Sequence, residues 1–209
     1  MSTPTTTWWR RNRLWLALLV PLLLAALAAS SFRLVTLHLP WEWSRPIVAS
    51  GSSGTLTQEY RDLDGEQRSR EVRVDVVELE EVESYNGAKA MVGGTLWNVV
   101  LELEADPDQF LFGCEVELTD KDGTRYDFRS SLEPVEEDGF FLPPMLIHCV
   151  PEHAPGPTIE PLTGEVVASP TQRPRLWRQE VQIVMPDGVE PAGVRIGWHK
   201  PVYLVLDTP

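Results

Sequence analysis

Basic residues are scarce in most of this chain. Lysine occurs three times and arginine fifteen, and five of the arginines (Arg10, Arg11, Arg13, Arg33 and Arg45) fall in residues 1–50 beside one acid, Glu42. That opening segment carries +4 in a chain of net charge −13, so residues 51–209 carry −17. A domain so acidic repels phosphate backbones, which excludes nucleic acid as a partner. Histidine is also rare. The four residues, His38, His148, His153 and His199, stand in no triad-like pattern. No G-x-S-x-G elbow occurs. "LIHC" (146–149) lacks the T-L-x-T-like strand that a sortase-type transpeptidase places before its cysteine. No amphipathic helical pattern follows residue 34. These absences weigh against an enzyme.

Cysteine occurs twice, as Cys114 and Cys149. An even count behind an export-type N-terminus favours a disulfide. The enclosed loop would contribute about 3–4 kcal/mol on the chain-entropy model. His148, Cys149 and His153 with Cys114 are the alternative, a zinc site. The spacing H-C-x₃-H matches no recognised ligand pattern, and adjacent ligands would be strained, so the disulfide is expected and no metal or cofactor.

Long apolar runs are confined to the start. From Leu14 to Phe32 there is no charged residue. Nineteen helical residues rise roughly 28 Å, close to the hydrocarbon thickness of a bilayer. Trp8 and Trp9 precede the run, and Trp41 and Trp43 follow it, as indoles do at a headgroup boundary. Arg10, Arg11 and Arg13 stand before it and Arg33 alone just after it. The positive-inside rule then holds the N-terminus in the cytoplasm and sends the rest outward. The expected organisation is a basic N-terminus (1–13), a transmembrane helix (14–36), a juxtamembrane linker (37–54) and an extracytoplasmic domain (55–209). A cleavable signal peptide is the alternative, with Ala26-Leu27-Ala28 as its small-x-small site. It would release the same domain. The continuation of the apolar run past that site favours the anchor.

The domain alternates with period two. "EVRVDVVEL" (71–79) sets Val72, Val74 and Val76 on one face. "LWNVVLELEA" (96–105) does the same with Trp97, Val99, Leu101 and Leu103. "CEVELTDKDGTRYDF" (114–128) reads as a hairpin turning at Asp122-Gly123. "TLTQEY" (55–60), "EVQIVM" (180–185), "VRIGW" and "VYLVLD" are further strands. "VASGSSG" (48–54) reads as flexible linker, 85–95 as loop, and about 130–175 as one long irregular loop. Seven or so short strands without a helix indicate an all-β antiparallel sandwich. Asp120-x-Asp122-Gly123 is too short for a calcium loop and reads as a turn. Glu136-Glu137-Asp138 reads as a solvated loop, with adventitious cation binding as the sharper alternative. Trp198 and Tyr203 are expected in the core, with a surface aromatic patch as the lesser reading.

"WWRRNRLWLALLVPLLLAALAASSFRL", "LWNVVLELEADPDQF", "CEVELTDKDGTRY", the later Cys149 and "PDGVEPAGVRIGW" together resemble a family of membrane-anchored proteins of high-GC Gram-positive bacteria. The hairpin and the late P-D-G turn look like the immunoglobulin-like domains of Gram-positive surface lipoproteins. The chain has no lipid-attachment cysteine after the apolar run, so it departs from those in its anchor. The resemblance implies an extracytoplasmic immunoglobulin-like sandwich and no particular activity. The expected role is a module that binds or scaffolds another envelope or membrane protein, with the long loop, tethered at Cys149, as the binding element. An exported enzyme or metal-dependent envelope factor with an unrecognised site is the alternative.

Overall fold

The computed structural model describes residues 6–38, 41–61, 65–111, 113–128, 132–135, 149–160, 163 and 165–209. The chain divides into two units, 1–44 and 45–209.

The first unit is helix α1 (Thr6–Arg33), which runs into a π-helical turn at Leu34–His38. Its 28 residues extend about 42 Å. Leu, Ala, Val and Trp cover all its sides, and its large apolar side chains are exposed. A helix apolar all round is suited to lipid rather than to one face of a core. Pro21 lies within it. Among the described residues this is the one helix long and apolar enough to cross a membrane, and a signal sequence shares both properties.

The second unit is built of strands. They are β1 (Arg45–Val48), β2 (Ser53–Arg61), β3 (Gln67–Val82), β4 (Ala88–Ala90), β5 (Gly94–Ala105), β6 (Glu115–Thr119), β7 (Arg125–Asp127), β8 (Leu132–Pro134), β9 (Thr158–Ile159), β10 (Val166–Val167), β11 (Leu176–Pro186), β12 (Gly193–Gly197) and β13 (Val202–Asp207). One sheet has the order β11-β5-β3-β2 and is antiparallel throughout. The other has the order β1-β13-β12-β6-β7 and is antiparallel except for the parallel pair β1–β13. Two short pairs, β4–β8 and β9–β10, complete it.

The inward residues of both sheets form one core. Val72, Val74, Leu101, Leu103 and Ile183 enter from the first sheet, and Val116, Leu118, Ile196, Leu204 and Leu206 from the second. Full burial of such a side chain stabilises by about 1.5–3 kcal/mol. The alternation expected in 71–79 holds as far as Val76. A bulge between Val76 and Glu78 then changes the phase and leaves Val77 exposed.

Three loop expectations are corrected. The linker reading of 37–54 covers β1 and the start of β2. The glycines and serines at 51–54 are packed chain. Asp207 N–H bonds Gly51 O (3.0 Å), and Val76 N–H bonds Ser52 O (2.8 Å). A Cβ on Gly54 would stand 2.8 Å from the Ala49 methyl and 3.1 Å from Leu204. Glycine permits this close approach of two chain segments, so its presence here marks contact rather than flexibility. The loop at 85–95 contains β4, which pairs with β8. The 130–175 region contains β8, β9 and β10, with Cys149, Val150 and Ala154 buried.

Candidate functional site

The inner face of the first sheet changes character along its strands. On β3 the residues in phase run Val76, Val74, Val72, Arg70, Arg68, and on β2 they run Leu56, Gln58, Tyr60. Gln58 is paired with Arg70, and Tyr60 with Arg68. The apolar core therefore gives way to a polar end.

Arg70 is completely buried there. Its Nη1 donates to Gln58 Oε1 (3.3 Å) and to His199 Nδ1 (2.9 Å), and its Nη2 donates to Phe110 O (3.1 Å). The guanidinium lies 4.3 Å over the Tyr60 ring and 6.0 Å from the Trp198 ring. Its Nε–H has no partner among the described residues. Burial pulls its pKa down to about 10, so it stays charged at neutral pH. A guanidinium only donates, so His199 Nδ1 accepts, and the neutral ring carries its proton on Nε2. Burial, then the charge of Arg70, lowers His199 to about 4. The ring is stacked on Tyr60, with centroids 5.0 Å apart. Gln58 Nε2 donates to the backbone carbonyl of His199 and fixes this turn from below.

The loop at 106–110, which continues β5 beside the start of β3, forms a second wall, and side chains from elsewhere hold it. Arg173 Nη2 donates to Asp106 O (2.6 Å) and Gln109 O (2.8 Å), and its Nη1 donates to Pro155 O (3.1 Å). The Gln109 amide pairs both ways with the backbone of Glu71, at 2.9 Å each. Arg173 is as deeply buried as Arg70, and its guanidinium lies 4.9 Å over Trp177. Burial lowers it to about 10, against the opposing pull of Asp106 and Asp108. Gly156 has φ +75°, and a Cβ there would meet Arg173 Nη1 at 2.9 Å. Pro157 and Val166, at the β9–β10 pair, make a third wall together with Ala168. Between the walls lies an open cleft of about 620 Å³, whose charged and aromatic lining is Tyr60, Arg61, Arg68, Asp106, Asp108, Phe110 and His199.

The residues singled out from sequence fall elsewhere. Trp8 and Trp9 are exposed on α1 with their rings edge to face, 5.5 Å apart, and Arg10, Arg11 and Arg13 are exposed beside them. Trp41 is exposed, and Trp43 half-buried. Cys114 and Cys149 lie at disulfide distance, with Cα atoms 5.8 Å apart, in the range usual for a bridge. Both are buried, and Trp177 Nε1 donates to Cys149 O (3.1 Å). Asp120 closes its turn by itself: Oδ1 accepts from the N–H groups of Asp122 and Thr124, each at 2.9 Å, and Oδ2 from the Tyr126 hydroxyl (3.0 Å). Its carboxylate is spent within the turn. Trp198 is buried and donates to Leu111 O (3.0 Å). Tyr203 is half-buried beneath Arg195, whose guanidinium lies 4.0 Å over its ring. His153 is exposed, while His148 and Glu136-Glu137-Asp138 lie outside the described residues.

The sequence reading missed Tyr60, Arg70, Arg173 and His199 as site residues. For Arg70 a signal was present, because it continues the phase of Val72, Val74 and Val76. Comparison with protein-family models, with curated proteins and with solved structures finds no match.

Proposed function

We propose that this protein is a single-pass, membrane-anchored binding module, with its N-terminus in the cytoplasm and an immunoglobulin-like sandwich outside, which takes its ligand in the cleft between the 106–110 loop and the β9–β10 pair. The carrying observation is the pair of buried guanidinium groups behind that cleft. Arg70 has no carboxylate partner among the described residues, and Arg173 spends its hydrogen bonds on three backbone carbonyls. A buried charge without a counter-ion is a poor way to gain stability. It is a good way to hold a binding wall in one arrangement before the ligand arrives.

The strand neighbours support the immunoglobulin-like reading. Such sandwiches set strands A, B and E side by side in one sheet and C, F and G in the other. The runs β3-β5-β11 and β6-β12-β13 match that pattern in chain order. Three arginines before the apolar helix and one after it support the orientation. Cleavage near Ala28 would secrete the same module.

A photo-reactive residue tests the reading in the full chain in its own membranes. Placed at Val166, on the cleft, it should give a discrete adduct. Placed at Lys121, on the β6–β7 turn at the other end of β6 and β12, it should give none. Equal labelling at both positions would overturn the assignment.

A further inference from the structure

We propose that the cleft takes a short, uncharged oligosaccharide, a proposal that rests on the binding role argued above. Four observations select this chemistry.

The first is the balance of charge. Arg61 and Arg68 line the same opening as Asp106 and Asp108, two charges of each sign, and His199 beside them is neutral. Neither an anion nor a cation finds a wall of one sign there. Residues 51–209 carry −17, which repels polyanions before they arrive. A ligand without charge escapes both constraints.

The second is the state of the backbone around the cleft. An extended peptide binds an edge through main-chain hydrogen bonds. Along 106–110 those groups are already spent. Asp106 O accepts from Arg173 Nη2 (2.6 Å) and from Gln109 N–H (3.1 Å), Gln109 O accepts from Arg173 Nη2 (2.8 Å), and Phe110 O from Arg70 Nη2 (3.1 Å). Asp108 N–H bonds Asp106 Oδ1, and the Gln109 amide takes both backbone groups of Glu71. This wall therefore meets a ligand with its side chains.

The third is the mixture of donor and acceptor that those side chains supply. The exposed Asp108 carboxylate only accepts, and the Nε2–H of His199 donates without adding charge. A sugar hydroxyl does both. The fourth is the carbon beside these polar groups. Phe110, Pro157, Val166 and Ala168 lie along the same cleft. A pyranose ring carries C–H bonds on its faces and hydroxyls on its rim, and the negative face of an aromatic ring attracts such C–H groups. The volume of about 620 Å³ falls within the roughly 300–1,000 Å³ usual for small-ligand sites.

The test uses the full chain in micelles of a detergent that is not a glycoside. Neutral oligosaccharides of glucose, of mannose and of N-acetylglucosamine are screened by saturation-transfer NMR beside a uronic acid oligosaccharide of the same length. At least one neutral series should receive saturation, strongest at its ring C–H protons, and the uronic acid series should receive none. Calorimetry with the neutral sugar that binds should show Asp108→Asn, at an exposed position, weakening it about tenfold with the melting temperature unchanged. Phe110→Ala should abolish the transfer, and Phe110→Tyr should keep it. Absence of binding by every neutral series, or equal binding of the uronic acid series, would overturn the proposal. Sugar binding that Asp108→Asn and Phe110→Ala both leave intact would overturn its placement in the cleft. A Val166 adduct without neutral sugar binding, or one that proves to be polypeptide, would overturn the sugar chemistry alone. Loss of adduct and sugar binding together would overturn the cleft as a binding site.

Discussion

The β6–β7 turn and the segment 149–175 are both rich in turn-forming residues, yet forces of different range hold them. The turn is closed by its own residues. Asp120 accepts three hydrogen bonds from within the next six positions, and Gly123 supplies φ +79°. The segment has one short local pair, β9–β10, but its ties to the rest of the domain come from far away in sequence. Cys149 reaches Cys114, 35 residues back, and Arg173 reaches Asp106 O and Gln109 O, 67 and 64 residues back. The turn is a local object that a peptide of its length already encodes. The segment is an attachment, and it acquires a shape only when the sheets beneath it exist.

Three substitutions sharpen the contrast. Arg173→Ala should have the largest effect. It strips three part-buried carbonyls of their donor and removes a buried side chain from the face of Trp177, and should cost about 4 kcal/mol, since each lost bond of this kind costs about 1–3 kcal/mol. Urea unfolding of the full chain, followed by tryptophan emission, measures it. A cost below about 1 kcal/mol would mean that other contacts hold the 106–110 loop. Reduction of Cys114–Cys149, or its replacement by two alanines, comes next at about 3 kcal/mol. Proteolysis should then cut first within 149–175 while the β6–β7 turn stays resistant. Cutting at both places together would show that the two regions open as one unit. Asp120→Ala should be the mildest, at about 1 kcal/mol, because water replaces its exposed partners. It should leave the photo-adduct at Val166 unchanged, and a lost adduct in that variant would show coupling across the sheet.

The same division of range governs what sequence reading recovers. Val72, Val74 and Val76 announce a strand because period two is a local property, and Asp122-Gly123 announces a turn for the same reason. The pairing of Cys114 with Cys149 was legible because only two cysteines exist. The start of β3 was not, because Arg70 looks like a surface residue until its acceptors, Gln58 Oε1, His199 Nδ1 and Phe110 O, are known. His199 gives no local signal: its partners are Tyr60 and Arg70, 139 and 129 positions earlier. Gly54 was read as slack because glycine suits both a flexible link and a tight contact, and only the neighbouring Ala49 and Leu204 decide between them.

The parallel pairing of β1 with β13 constrains how the domain can be made. Of the thirteen strands among the described residues, the one to leave the ribosome first has as its partner the one that leaves last. The second sheet cannot close while the chain is still being made, since Arg45, Pro46, Ile47 and Val48 must wait for residues 202–205. Closing so long a loop is a slow step. Assembly of this sheet is therefore completed only after synthesis, and until then an unpaired strand edge stands open to whatever chaperone or neighbour is at hand.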